Sequence, residues 1–373
     1  CDPDTELGFP ISNIDPCLLP ASGGDQTLSS DSPLSTDSFM AGNAVVLPQV
    51  HGGAQEVLVL RYDNLTIGDL LVIGSRPIVF VANSITVTGD LQVRSNSRSG
   101  ASPGADTDCG GGLGQAGAIT PNSNGYQGGS GGGYAADGGK GAPAEGGSTV
   151  DPGTTNGNDT IEPLRGGCRG GQGGRPSNPL LNLAQFLAQV GPGSGGGGVQ
   201  LIASANITVQ AGGTIAAPGR GGGTFYVNGL GGLARSGGSG GGSGGAILLE
   251  APNINIDGRL VALGGGGGEG RDNGTNNGSQ SSPGDSAAPL DGDNKPAEGG
   301  STSNQDGGDG GTGSDDKDNS KGGDGDSGSD IGDGDRSGGG GGGGGVGRIR
   351  LRVVGGALNV NGTVQPPARE DVE

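Results

Sequence analysis

Residues 246–262 read Ala-Ile-Leu-Leu-Glu-Ala-Pro-Asn-Ile-Asn-Ile-Asp-Gly-Arg-Leu-Val-Ala, and the pattern of this stretch decides the fold. It contains an apolar strand, a tight polar turn at Asn253, a short Ile-x-Ile strand, a corner at Gly258 and a third short strand. Apolar alternation bounded by Asn, Pro and Gly is typical of strands and turns. One such unit is too small to bury its own apolar side, so it needs further copies stacked on it.

The unit recurs along the chain at irregular intervals. Residues 77–93, 199–216 and 348–364 repeat it almost element for element, residues 57–73 form a further copy, and residues 28–46 form a degenerate first one. These repeats predict an all-β fold, a short parallel β-helix with three short strands per rung. A β-sandwich with glycine-rich loops is the alternative.

A glycine recurs at one corner of the repeat, at Gly89, Gly258 and Gly362. Glycine adopts positive φ without steric cost, so we expect this corner to need a left-handed backbone.

The repeats divide the chain into rungs and insertions. The predicted segments are 1–27 (held by a disulfide or a lipid), 28–93 (first rungs), 94–198 (glycine-rich insertion), 199–217 (rung), 218–245 (glycine-rich insertion), 246–263 (rung), 264–347 (Gly/Asp-rich insertion) and 348–373 (final rung and tail). Within the first insertion, Asn178, Pro179 and Gly191 carry the start and stop signals of a helix over 179–190.

The insertions contain most of the 93 glycines among the 373 residues, and only 29% of the chain is hydrophobic. Such segments ordinarily stay disordered, because they bury too little apolar area to offset the entropy of ordering. If they are ordered, the best candidate is a bundle of polyproline-II-like glycine strands that exchange backbone hydrogen bonds. We therefore predict ordered insertions of the polyglycine II kind.

Four cysteines, Cys1, Cys17, Cys109 and Cys168, have no metal-ligand spacing, and His51 is the only histidine. Disulfides formed in an oxidising compartment are the simpler interpretation. We favour Cys1 with Cys17 and Cys109 with Cys168, since each pair lies within its own non-repeat segment. Lipidation of Cys1, as in a bacterial lipoprotein, is the alternative for that residue.

The net charge of −19 argues against binding to nucleic acid or to an anionic membrane surface. No run of residues is apolar and long enough to span a bilayer, so a membrane contact would depend on a lipid at Cys1.

An acidic stretch in the last insertion is the one candidate metal site. Carboxylates on a glycine-rich chain suit Ca²⁺. The candidate ligands are Asp324, Asp326, Asp330, Asp333 and Asp335. The stretch lacks the strict nine-residue period of calcium-binding repeats, and a solvated acidic loop is the alternative. We otherwise expect no cofactor.

No catalytic constellation is evident. A Ser-His-Asp arrangement would need His51, whose setting in Pro48-Gln-Val-His-Gly-Gly53 is that of a turn. A polysaccharide-degrading β-helix would need acidic residues converging in a groove, which the pattern does not indicate. We expect that the protein is not an enzyme.

The stretch Gly240–Gly268 resembles glycine-rich β-helical surface proteins and lipoproteins of myxobacteria and related bacteria, and the β-helical repeats of bacterial adhesins. The glycine-rich insertions are similar to the polyglycine II bundles of some phage tail-tip adhesins and of a glycine-rich antifreeze protein, although here glycine does not occupy strictly every third position. The resemblance implies a bacterial location, extracellular or on the outer cell surface, and no particular activity.

These observations lead to one expected function and one alternative. The first is a structural subunit of an extracellular filament or surface layer, which assembles with copies of itself through β-helix stacking and glycine-rich packing. The alternative is a monomeric, lipid-anchored adhesin that binds glycan or another cell-surface component, with Ca²⁺ as a possible requirement.

Overall fold

The computed structural model describes residues 7–97, 100–106, 109–118, 126–143, 147–174, 191–224, 236–271, 284–285, 297–301, 308–314, 321–327 and 338–373. Within them the protein is all-β, as predicted. The strands are β1 (Gln26–Ser35), β2 (Ala44–Leu47), β3 (Val57–Arg61), β4 (Asn64–Ile73), β5 (Ile78–Val87), β6 (Asp90–Val93), β7 (Gly198–Val209), β8 (Thr214–Ala216), β9 (Ala246–Ile256), β10 (Arg259–Val261), β11 (Arg348–Val360), β12 (Thr363–Gln365) and β13 (Arg369–Val372). Two 3-10 turns, Pro16–Leu18 and Gly110–Gly112, are the only helical elements in those ranges. The helix predicted over 179–190 lies outside them.

All thirteen strands belong to one curled sheet. The sheet curls because long strands divide their pairing: Leu65 in β4 lies opposite Ile85 in β5, whereas Leu70 in the same strand lies opposite Leu91 in β6. The pair β2–β3 is antiparallel, and every other pair among the described strands is parallel. Parallel pairing of short neighbouring copies does not fit the alternative of a β-sandwich built from hairpins.

Copies of the repeat lie in register in three columns of parallel strands. The first column contains residues 57–61, 78–82, 198–202, 246–251, 348–353 and 369–372. The second contains residues 26–28, 64–67, 84–87, 206–209, 253–256 and 357–360. The third contains residues 30–35, 70–73, 90–93, 214–216, 259–261 and 363–365. Equivalent residues of different copies are thus hydrogen-bonded neighbours.

The three columns enclose the main apolar core, in which matching side chains stack. Phe80 lies opposite Leu201, and Leu249 lies between Leu201 and Leu351. All four side chains are fully buried. Each such side chain contributes about 1.5–3 kcal/mol through its removal from water. The repeat stacks because every copy covers the apolar side of the copy before it.

The first column is apolar on its outer side as well. Val57, Val59, Val79 and Leu248 are buried there, beneath a layer that the chain brings in from elsewhere. The covering side chains are Leu7, Phe9, Ile14, Tyr134, Ile161 and Leu164. Burial on both faces explains why β3 and β5, the first strands of two copies, begin as continuous apolar runs and not as alternating ones.

The prediction for the corner glycines was wrong. Gly89, Gly258 and Gly362 do not have positive φ. Glycine is needed there because successive corners stack tightly: a Cβ atom on Gly362 would overlap the carbonyl oxygen of Gly258, and a Cβ on Gly258 would overlap that of Gly213. Close approach of stacked backbones, and not a left-handed conformation, fixes the residue type.

All three long insertions leave and return at the same corner of the sheet. They follow Val93, Ala216 and Val261 at the ends of third-column strands, and they lead into β7, β9 and β11 at the start of the first column. Because the copies are stacked, the insertions begin and end next to one another. The fold thereby gathers the glycine-rich segments on one side.

The gathered glycine-rich segments form a bundle, and the run Gly338–Gly345 lies inside it. The N–H groups of this run bond to three neighbouring segments. Every third residue donates to the same neighbour, over 2.8–3.2 Å. The three sets are Gly338, Gly341 and Gly344 to the carbonyls of Arg271, Gly268 and Gly265; Gly339, Gly342 and Gly345 to Tyr126, Gly129 and Gly132; and Gly340 and Gly343 to Asp326 and Gly323.

The carbonyl groups of the same run accept from three further segments, over 2.7–3.1 Å. The donors are Gly308, Gly311 and Ser314; Gly238, Gly241 and Gly244; and Ala142 and Gly139. The run is therefore surrounded by backbone on all sides, and its polar groups are satisfied within one chain. This arrangement removes the main cost of burying a segment that has no side chains.

Exposed residues other than glycine lie at the rim of this bundle, whereas Ser239, Ser243 and Ser314 are buried inside it. Asp309 and Thr312 are exposed on one segment, and Lys321, Asp324 and Ser327 are exposed on another, in both cases three residues apart. Where a segment has a face without a neighbouring segment, a backbone with three residues per turn presents that face at every third residue.

Candidate functional site

The outer side of the first column changes from apolar to charged along the stack. Val79 lies opposite Gln200, Gln200 opposite Leu248, and Leu248 opposite Arg350. β11 itself presents the alternating arginines Arg348, Arg350 and Arg352, whose neighbours Ile349, Leu351 and Val353 point into the core. Three cations in one strand need acidic partners, which come from the covering segment, from β9 and from the C-terminal strand β13 with Glu373.

Glu250 is a carboxylate buried completely beneath this layer. It accepts hydrogen bonds from the backbone N–H of Ser12 at 3.2 Å, from Gln200 Nε2 and from Arg352 Nη1 at 3.1 Å. Arg352 also donates to Glu373. Partial burial disfavours the charge on Arg352, but the carboxylates of Glu373 and Glu250 raise its pKa above the ordinary value.

The next arginine along the strand, Arg350, binds two carboxylates. Its Nη1 lies 2.7 Å from Glu162 Oε1, and its Nε lies 2.7 Å from Asp371 Oδ2. Burial opposes ionisation of Glu162, but hydrogen bonds from Arg350 and from Ser12 Oγ prevail and lower its pKa. Arg348 completes the row through Asp159 and the carbonyl oxygens of Tyr134 and Asn156.

Tyr134 is buried between two guanidinium groups. The Cζ atoms of Arg165 and Arg348 lie 5.4 Å and 5.3 Å from its ring centroid, which is cation–π geometry. Burial raises the pKa of the Tyr134 hydroxyl, although the two arginines partly oppose the shift. The segment 156–165 is therefore held to the sheet by Arg348 and Arg350 of β11 and by the Tyr134 ring, which lies between Arg165 and Arg348.

An open cavity of about 360 Å³ lies beside this segment. Its walls come from the turn at 51–54 and from residues 156–165. The side chains at its centre are His51, Tyr134, Asn156, Ile161, Glu162 and Arg165. A second open cavity, about 330 Å³ in volume, lies between Arg348 and the Pro366–Pro367 turn.

The predicted disulfide between Cys109 and Cys168 is confirmed, with a Cα–Cα distance of 5.9 Å and both residues buried. It links the start of the first insertion to a segment that carries Gly170 and Gly171 into the bundle. Cys1 lies outside the described residues, so its pairing with Cys17 and its lipidation stay predictions. No described cysteine is free.

Of the predicted calcium ligands, Asp324 and Asp326 are described, whereas Asp330, Asp333 and Asp335 are not. Asp324 Oδ1 accepts the backbone N–H of Lys140 at 2.7 Å. The backbone N–H of Asp326 donates to the backbone carbonyl of Asp309. Partial burial and the charge of Asp326 raise the pKa of the Asp309 side-chain carboxyl. Within the described ranges, no group of three His, Cys, Asp or Glu side chains could hold a metal ion.

His51 lies in a turn, as expected, and its Nε2 is 3.9 Å from Glu162 Oε2. The sequence analysis did not identify Glu162, Tyr134 or the β11 arginines. The alternation Arg-x-Arg-x-Arg in the last repeat was the available signal, because the positions that pair with Arg348 and Arg350 in the preceding copy are the apolar Ala246 and Leu248.

Among the described helices, none has the length and apolarity needed to cross a membrane. The chain matches no protein-family model, and neither a curated protein nor a solved structure shows significant similarity to it. Its function has to be inferred from its own geometry.

Proposed function

We propose that the protein is a non-enzymatic structural subunit of an extracellular or cell-surface assembly, built as a short parallel β-helix that carries a polyglycine II bundle. The observation that carries the proposal is the environment of Gly338–Gly345, whose N–H and C=O groups bond to neighbouring segments with a period of three residues. That period is the one expected for extended glycine helices with three residues per turn.

The β-helix part of the proposal is supported by the in-register columns. Six copies of the second-column strand follow one another, from Gln26–Leu28 to Ala357–Val360. At the usual spacing of about 4.8 Å between strands, this stack is roughly 25 Å long. A rigid β-stack beside a bundle made mostly of glycine has few side chains that could bind or react, which suits a structural role.

Copies of this chain are the proposed partners, and sheet edges are the proposed contact. At one end, β12 and β13 each have a described strand on one side only. An unpaired edge of this kind can receive a strand of another chain. The disulfide between Cys109 and Cys168 supports an oxidising, extracytoplasmic location, since such bonds are rare in reducing compartments.

The opposite end favours a second candidate, a monomeric surface adhesin. There β2 pairs antiparallel with β3, the strand at that end of the first column. β1 contains Pro33 and two irregularities in its register with β4. Reversed strands, bulges and proline are devices that blunt a sheet edge. A stack blunted at one end fits a discrete particle, which would be anchored through a lipid on Cys1.

Electron microscopy of native material, together with the intact mass of the chain with and without reductant, distinguishes the two candidates. Regular filaments or a lattice, with cysteines accounted for by disulfides and no acyl mass, would support the structural subunit. Isolated particles carrying a diacylglyceryl mass on Cys1 would overturn it in favour of the adhesin.

A further inference from the structure

The cavity between the turn at 51–54 and the segment 156–165 has the size of a small-ligand site. Its volume of about 360 Å³ lies in the lower part of the range of such sites, roughly 300–1,000 Å³. It combines an apolar wall, from Ala54, Ile161 and Pro163, with polar groups from His51 and Glu162. The ion pair with Arg350 uses Glu162 Oε1, and the proposed structural role makes no use of Glu162 Oε2 or of His51.

The backbone on the apolar wall is strained. Ile161 has a φ of 55°, a conformation that is a genuine outlier for a β-branched residue. The surrounding structure holds it there: Asn13 Nδ2 donates to the Ile161 carbonyl at 3.2 Å, and the side chain is buried. Residues kept in such conformations cluster at binding and catalytic sites.

The polar wall is fixed before any ligand arrives. Asn158 Nδ2 donates to the Glu162 carbonyl at 2.6 Å, and Asn158 Oδ1 accepts the Glu162 N–H at 3.1 Å. Glu162 Oε1 is held by Ser12 Oγ and by Arg350. The carboxylate cannot turn away from the cavity without breaking these bonds, so a ligand would meet it in one orientation.

The second oxygen of this carboxylate faces the histidine across a gap. Glu162 Oε2 lies 3.9 Å from His51 Nε2, which is too far for a direct hydrogen bond but leaves both atoms within reach of a single oxygen placed between them. A hydroxyl group suits the position, since it can donate to the carboxylate and accept from the imidazole. Both side chains are partly exposed, so the gap is accessible.

We propose that this cavity binds one sugar unit of a glycan, with a hydroxyl between Glu162 and His51 and the C–H face of the ring on the apolar wall. A simple anion is disfavoured, because the Glu162 carboxylate would repel it. A simple cation is disfavoured by the guanidinium of Arg165, which also lines the cavity. A ligand with donors, acceptors and an apolar face matches the full set of walls. The inference deepens the adhesin candidate and does not depend on polymerisation.

The single histidine provides a specific reporter. The full-length chain would be titrated at constant pH with methyl glycosides of glucose, galactose, mannose and N-acetylglucosamine, while the imidazole proton signals are followed by NMR. We expect one glycoside to shift the His51 signal saturably. Acetate and phosphate, titrated in the same way, test the anion alternative.

Two variants locate the binding, and their folding is checked by circular dichroism. Ala54→Phe places a bulky ring at the apolar wall and should abolish the shift, whereas Glu162→Gln should weaken the affinity about tenfold through loss of a charged hydrogen bond. Glu370→Gln, an exposed glutamate far along the chain, is the matched control and should bind normally. The proposal is overturned if no glycoside moves the signal, if only the anions do, or if folded Ala54→Phe binds as the unchanged chain does. Filament images bear only on the structural role, so the two proposals can fail separately.

Discussion

A Cβ atom on Gly343 would lie 1.8 Å from the carbonyl oxygen of Thr312. The two backbones therefore approach more closely than any residue with a side chain allows, and Gly343 sits in the middle of the surrounded run. The first prediction concerns this contact. Gly343→Ala should lower the free energy of unfolding by about 3 kcal/mol or more, because the bundle has to open to admit a methyl group.

Gly42→Ala is the matched control, because no atom of the described residues lies within 4 Å of the position of its Cβ and its φ is not positive. We expect it to be neutral within about 0.5 kcal/mol. Urea denaturation of both variants measures the difference. Equal stability of the two would mean that the glycine segments are not packed against one another in solution.

Much of the sheet could be predicted from the sequence, because the pattern of apolar and polar side chains identifies the strands. The second-column strands alternate apolar and polar residues with a period of two, and Ile85, Ile207 and Ile254 recur at equivalent places that the structure puts in register. The order of the copies along the chain is also their order in the stack. Local pattern was therefore enough to predict most strands of the stack, although not β13, which lies in the predicted tail, or the antiparallel direction of β2.

The neighbours of each glycine segment could not be predicted in the same way. Gly338–Gly345 is a run of identical residues, so no side chain indicates which segment bonds to which. The register is determined by where the insertions leave the sheet, which is a property of the whole fold. The charged layer was missed for a similar reason, since Arg350 and Glu162 are far apart in sequence and meet only after the covering segment has docked.

The second prediction concerns the buried carboxylate of Glu250. Arg352→Ala removes the one cation bonded to it among the described residues and should lower the free energy of unfolding by about 3 kcal/mol, because an uncompensated charge is left in the interior. Arg369→Ala is the control, since Arg369 is 45% exposed and its pair with Asp371 lies at the surface. We expect its effect to stay below about 1 kcal/mol. Thermal and urea unfolding report both values, and a mild effect of Arg352→Ala would argue against the buried pair.

The third prediction concerns the disulfide between Cys109 and Cys168, which closes a loop with a sequence separation of 59. Replacing both cysteines with alanine should lower the free energy of unfolding by roughly 2–4 kcal/mol, mainly because the unfolded chain gains freedom. The melting temperature of the double variant, compared with the unchanged chain under non-reducing conditions, measures the loss. A double variant as stable as the unchanged chain would show that the bundle alone fixes these two segments.

The last prediction is a pH dependence that originates at Asp106. Burial raises the pKa of this carboxyl from 3.8 to about 6, although the charge of Arg169 and backbone hydrogen bonds partly oppose the shift. The folded chain therefore keeps a proton that the unfolded chain has already lost between these two pH values. The contribution of Asp106 to the free energy of unfolding is therefore greatest below pH 3.8, the pKa in the unfolded chain. This contribution falls as the pH rises from 3.8 to about 6, the pKa in the folded chain, and does not fall further above that pH.

Asp106→Asn replaces the carboxyl with a neutral group of the same shape, and asparagine tolerates the φ of 63° at this position. At neutral pH the variant should be more stable than the unchanged chain by up to about 3 kcal/mol, whereas near pH 4 the two should be similar. Asp151→Asn, at an exposed aspartate, is the control and should show no such pH-dependent gain. Urea denaturation across this pH range measures all three chains. A gain that is the same at every pH would mean that Asp106 does not carry the extra proton in the folded state.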